Sequence, residues 1–109
     1  IHFAGWVLDI ATRNLIAVDS TVVALSGAEY KLLRVFLAHP NRVLSRDMLM
    51  DLTAGREIDA FERSIDVQIS RLRQRLEDDA REPAIIKTVR GEGYVLAATV
   101  RVESAASDA

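Results

Sequence analysis

Apolar and polar positions along the chain change period twice. Over the first 25 residues, Phe3 to Leu8, Leu15 to Val18 and Thr21 to Leu25 are apolar or β-branched runs broken by polar pairs. That pattern predicts short strands in a meander with one packed face, turning tightly at Asp19-Ser20. At Ser26 the period lengthens. Ser26 and Glu29 form S-x-x-E, a capping box in which a hydroxyl and a carboxylate each satisfy the other residue's free backbone amide. Tyr30, Leu33, Phe36 and Leu37 follow at helical spacing until His39-Pro40-Asn41 ends the helix. Val43-Leu44 then precedes Ser45, a second N-cap, and a short helix carries Met48, Leu49 and Leu52. Thr53 to Phe61, with Gly55 inside it, reads as a loop.

The third helix, from about Glu62 to Glu77, carries Ile65, Ile69, Leu72 and Leu76 in one stripe that faces the core. Turning by about 100° per residue, the opposite face presents Arg63, Val67, Ser70, Arg71 and Gln74, with Arg73 on one flank and Arg75 on the other. Between Arg63 and Leu76, four arginines against the single acid Asp66 leave a local charge of +3. After Glu77-Asp78-Asp79 and a turn through Pro83, Ile85 to Val89 and Tyr94 to Ala98 predict two strands joined by Arg90-Gly91-Glu92-Gly93, a hairpin with an arginine at its tip. Trp6 and Tyr94 read as packing residues. The domain is expected to span 1–100, with 101–109 a flexible C-terminal tail.

Composition narrows the possibilities. The chain has 109 residues, enough for one core, and 50% of them are hydrophobic. It has no cysteine, hence no disulfide framework and no thiolate site. Its apolar runs are far short of the roughly 18 residues a membrane helix needs, and IHFAGWVLDI lacks the basic start of a signal peptide. The absence of an initiator methionine suggests a fragment of a longer protein. No Ser/His/acid spacing, Gly-rich phosphate loop or HExxH is present, so no catalytic, cofactor-binding or metal-binding residues are expected. The acidic triplet 77–79 reads as a solvated cap, because consecutive side chains do not converge on a cation. His39 reads as a helix-end residue favourable to the dipole.

The formal net charge of -2 argues mildly against a nucleic-acid partner. Where the charges lie matters more. Twelve of the fourteen basic residues are Arg, whose planar fork suits phosphates and base edges. A polar, Arg-bearing helix beside a hairpin with a basic tip suits duplex DNA: the major groove admits a helix, and the flanking minor groove a slim wing. On this reading Arg71 forks onto guanine, Val67 touches a thymine methyl, and Gln74 or Ser70 reads a base edge. Arg63 meets a phosphate, and Arg90 enters a narrow minor groove. Asp66 orients its neighbours.

The run RSIDVQISRLRQRLE from Arg63, followed by IKTVRGEGYVL from Ile86, resembles the signature of the OmpR/PhoB family of response-regulator effector domains. LSGAEYKLL and LSRDMLMDL resemble its first two helices, so the similarity reaches from the N-terminal strands to Leu96. The stretch LSRDMLMDLTAGREIDAFERSIDVQISRLR is closer still to the osmoregulatory branch typified by OmpR. The resemblance implies an α+β winged helix-turn-helix: an N-terminal four-stranded antiparallel sheet, three helices and a C-terminal β-hairpin wing at 85–98. Ser45 to Leu52 would be the positioning helix and 63–76 the recognition helix. Carried over by position, Val67 and Arg71 read bases; Arg63, Gln68, Ser70 and Arg73 sit where the family contacts backbone or bases; Thr88 and Arg90 lie on the wing. The loop 51–61, with Thr53, Gly55, Arg56 and Glu57, occupies the place where family members touch RNA polymerase.

The resemblance also implies what lies outside the chain. Family members carry a phosphorylatable receiver domain served by a sensor histidine kinase, bind promoter direct repeats as a tandem dimer, and are cytoplasmic, nucleoid-associated bacterial proteins. Two departures stand out. Ser70 replaces the Arg or Lys of many members, and Arg90 agrees with the wider family where OmpR itself is similar to a variant with an aromatic. Two other readings stay open: a winged-helix protein-interaction module with an Arg-rich docking face, and the DNA-binding domain of a ToxR-like membrane-anchored regulator.

Overall fold

The first apolar run folds back on itself sooner than its pattern predicts. In the computed structural model, which describes residues 1–53, 65–79 and 81–102, Phe3 to Leu8 is split into β1 (His2–Phe3) and β2 (Trp6–Asp9). Ala4 and Gly5 both have positive φ, 49° and 83°, and Phe3 pairs with Trp6 across them. A two-residue loop with both residues left-handed matches the twist of the strands it joins. Next come β3 (Asn14–Ile16) and β4 (Val22–Ala24), which turn at Asp19-Ser20 as expected. There Ser20 has φ 73° and the Asp19 carboxylate accepts the Thr21 N–H at 3.0 Å.

The expected four N-terminal strands are joined by a fifth from the other end of the chain. A short strand, β8 (Val100–Arg101), lies along β1 with His2 opposite Arg101, giving the order β4-β3-β2-β1-β8. Arg101, assigned to the tail by sequence, therefore belongs to the sheet; residues 103–109 lie outside the described residues. Strand alternation puts Phe3, Trp6, Leu8 and Leu15 on the buried face.

The helix α1 (Gly27–Ala38) starts at the predicted capping box, with Ser26 Oγ accepting from Glu29 N and Glu29 Oε1 accepting from Ser26 N. It ends at His39, whose Nδ1 donates to the Val35 carbonyl at 2.9 Å. The next helix, α2 (Arg46–Thr53), begins at Ser45, whose hydroxyl accepts from Met48 N. Of its three predicted apolar positions only Leu49 is fully buried; Met48 and Leu52 are exposed. A further helix, α3 (Ile65–Arg75), buries Ile65, Ile69 and Leu72, with Leu76 just beyond its end. These meet Leu32, Leu33 and Phe36 of α1 and the inner sheet residues in one core. Burying each such side chain contributes about 1.5–3 kcal/mol.

The C-terminal hairpin is β6 (Ile86–Val89) and β7 (Gly93–Leu96), shorter at each outer end than the predicted runs. Its sheet has a third strand that the sequence pattern left unassigned. Val43–Leu44 forms β5, pairing with β7 in the order β5-β7-β6 and tying the wing to the start of α2. This register brings Leu44 O to 2.1 Å from where a β-carbon on Gly93 would stand.

Candidate nucleic-acid interface

Along α3 the exposed side chains are the ones its helical period turns away from the core. Val67 is 47% exposed, Ser70, Arg71 and Gln74 are exposed, and Gln68 is half-buried. Among the described residues no carboxylate pairs with Arg71. Arg63, expected on this face, and Gly55, Arg56 and Glu57 of the expected polymerase loop lie outside the described residues. Thr53, the remaining residue of that loop set, ends α2 with its hydroxyl donating to the Leu49 carbonyl at 2.6 Å.

The expected +3 face is less basic than its sequence. Arg75 donates from Nε to the buried Glu29 carboxylate at 3.1 Å, joining the end of α3 to the start of α1. Asp66 accepts from Arg46 Nε of α2 at 2.9 Å and from the Tyr94 hydroxyl of β7. Arg73 is only 8% exposed and is turned to the wing, not to the open face. Its Nε and an Nη donate to the Ile86 carbonyl at 3.0 and 2.7 Å, and the same Nη donates to Thr88 Oγ1 at 2.9 Å. The resemblance places Arg73 where the family contacts backbone or bases, and helical period puts it on a flank of the open face; in the folded chain the wing covers it. Of the helix arginines described, Arg71 alone is left open and unpaired.

Backbone geometry shapes both ends of this unit. Helix α3 stops at Glu77, in the left-handed region at φ 56°, with Glu77 N donating to Gln74 O and Asp78 N to Arg73 O. These are the paired bonds of a Schellman ending. The wing tip turns through Arg90-Gly91, closed by Glu92 N donating to Val89 O. Gly91 there has φ 76°, which its lack of a Cβ permits, and Arg90 stands exposed at the tip.

Glu29, expected only in the capping box, and Tyr94, expected only to pack, each make a further contact, and Arg46 and Asp78 make contacts that the sequence did not mark. Glu29, Arg46 and Tyr94 join helices and wing as described above. Asp78, read as part of a solvated cap, instead accepts the amides of Ala84, Ile85 and Ile86 at 2.7 to 3.2 Å, fixing where the wing begins. Nothing in an acidic triplet marks which member turns inward. The Arg46 hydrogen bond, then that of Tyr94, holds the Asp66 carboxyl below the ordinary carboxylate range. Burial, then the facing Asp66 carboxylate, pushes the Tyr94 phenol up.

A helix pair, a third helix with an uncovered polar face, and a hairpin packed against that helix define a winged helix-turn-helix. The family described as "Transcriptional regulatory protein, C terminal" matches residues 20–96, and the chain belongs to it, within the OmpR/PhoB type. The transcriptional regulatory protein GltR of Pseudomonas aeruginosa is 48% identical over 93% of the chain and 42% of its own length. The regulatory protein VirG of Rhizobium rhizogenes is 45% identical over 93% of the chain and 42% of its own length. The chain thus spans about two-fifths of these curated relatives. Among solved structures, the Klebsiella pneumoniae RstA DNA-binding domain in complex with the RstA box is 39% identical, with a TM-score of 0.78 over 89% of this chain and 95% of that one.

Proposed function

We propose that this domain binds duplex DNA in a sequence-specific way, as the output domain of a two-component transcriptional response regulator. The observation that carries the reading is the open face of α3, where Val67, Ser70, Arg71 and Gln74 stand exposed beside a wing whose tip carries Arg90. The RstA domain, similar over nearly its whole length, is a DNA-binding domain solved with its box. Within the site, Arg71 and Val67 read bases in the major groove, with Ser70 and Gln74 beside them. Arg63, Gln68 and Thr88 contact backbone, and Arg90 enters the minor groove.

The whole-protein features are proposed on family grounds. They are a receiver domain served by a histidine kinase, tandem dimers on promoter direct repeats, RNA polymerase contact through 51–61, and a cytoplasmic place at the nucleoid. The kinship to OmpR rests on the 44–73 run. GltR and VirG share 48% and 45% of the residues aligned, so OmpR's own site preference is not carried over. No helix among the described residues is long and apolar enough to cross a membrane.

A salt titration with duplex DNA tests the reading. Phosphate neutralisation predicts that log affinity falls linearly with log salt at about 0.9 per phosphate contacted. Absence of duplex binding even at low salt would favour the protein-interaction module instead.

A further inference from the structure

We propose that Arg73 is a positioning residue that holds the wing to α3, so that Arg71 and Arg90 reach the two grooves as one rigid unit. The proposal rests on the DNA-binding reading above and assigns Arg73 a role other than phosphate contact.

The outer edge of β6 is where this role originates. Inside the hairpin the Ile85 carbonyl accepts from Ala97 N at 2.8 Å. Alternation along the strand therefore turns the N–H and C=O of Ile86 outward, away from β7. Among the described residues no strand lies beyond, since β6 is last in its sheet. Exposed backbone groups on such an edge must find partners or take water. Here α3 and the residues that follow it supply them: Asp78 accepts the Ile86 N–H at 2.9 Å, and Arg73 donates twice to the Ile86 carbonyl.

The middle strand of the wing's sheet is gripped as well. The Arg73 guanidinium lies 5.7 Å from the Tyr94 ring centroid and that of Arg46 lies 5.9 Å from it, while the Tyr94 hydroxyl donates to Asp66 in the first turn of α3. First turn, last turn and C-terminal cap of α3 thus each hold the hairpin. An arginine whose Nε and Nη are committed to a buried carbonyl cannot turn to a phosphate without leaving that carbonyl unsatisfied. Lysine carries the same charge but has no fork that reaches Ile86 O and Thr88 Oγ1 together.

Arg73→Lys and Arg73→Met in the whole chain separate the two roles. A positioning role predicts that both lose affinity for a selected duplex by about tenfold, the size of one coupled contact, Arg73→Lys no less than Arg73→Met. It also predicts that Arg90→Ala costs less in the Arg73→Lys background than alone, because the wing has already lost its register. A phosphate contact predicts the reverse: Lys keeps wild-type affinity, Met lowers the slope by about 0.9, and Arg90→Ala is additive. That result would overturn the proposal. The free protein gives a second readout should Arg73→Met fail to fold. In Arg73→Lys, backbone order parameters over 88–93 should fall below wild type; an equally ordered wing would overturn the strut whether or not the chain binds DNA. Failure of the DNA reading would appear separately, as no duplex binding by the wild-type chain.

Discussion

At the residue scale, side chains divide by what they touch in the folded chain. Asp66, expected from sequence to orient its neighbours, does so across three elements, joining α2, α3 and β7 through Arg46 and Tyr94. Its carboxyl is held low by those hydrogen bonds, so its contribution to stability is fully present above the ordinary Asp value of about 3.9 and is lost as pH falls through its lowered value. The Tyr94 phenol is shifted the other way: its contribution is present below about 10 and is lost as pH rises through its raised value. Urea unfolding of wild type and Asp66→Asn should therefore differ by a constant amount from neutral pH down to about 4 and converge below it. With both partners of the ion pair more than half exposed, the difference should stay under about 1 kcal/mol. A difference that persists unchanged at pH 2 would contradict this assignment. The core stripe of Ile65, Ile69, Leu72 and Leu76 was legible because helical period alone determines it. The fate of Arg73 was not, since it depends on a strand brought alongside from 13 residues later.

At the element scale, legibility followed local signals. The cap at Ser26, the second cap at Ser45 and the turn at Asp19-Ser20 were readable because each is a side chain bonding backbone within three residues. The two-residue strands β5 and β8 were not readable, because neither has a period and each exists only through a distant partner. The split of the first run at Ala4-Gly5 has a local signal, a glycine inside a strand pattern. Pairing of β5 with β7 gives Gly93 a meaning beyond the hairpin turn. Its φ is 144°, and a β-carbon there would meet Leu44 O at 2.1 Å, a backbone atom that cannot rotate away. Gly93→Ala should cost about 3 kcal/mol or more and separate wing from α2, seen as a lowered urea midpoint. Gly91, with open space around it, is the control: strained by φ 76° but not by contact, Gly91→Ala should cost about 1–2 kcal/mol. Equal costs at the two positions would mean that the β5 contact does not constrain the wing.

At the scale of the whole molecule, charge and fold bear on the same interface. A net charge of -2 gives little long-range attraction to a polyanion, and the folded chain pairs or buries much of the basic surplus that its third helix shows in sequence. What remains open on the described part of α3 is Arg71, with Val67, Ser70 and Gln74 around it, and Arg90 on a wing braced to the same helix. Such a surface is built for discrimination more than for general attraction, so non-specific duplex binding by the isolated chain should be weak. The central claim, that the open face of α3 reads base pairs, is tested most directly on a duplex selected from a random pool. Affinities of wild type and Arg71→Ala would be measured against the full set of its single-base-pair substitutions. The account predicts a loss of about 1–3 kcal/mol for Arg71→Ala on the selected site and a loss of discrimination at one base pair, the others keeping theirs. An unchanged discrimination profile would contradict it.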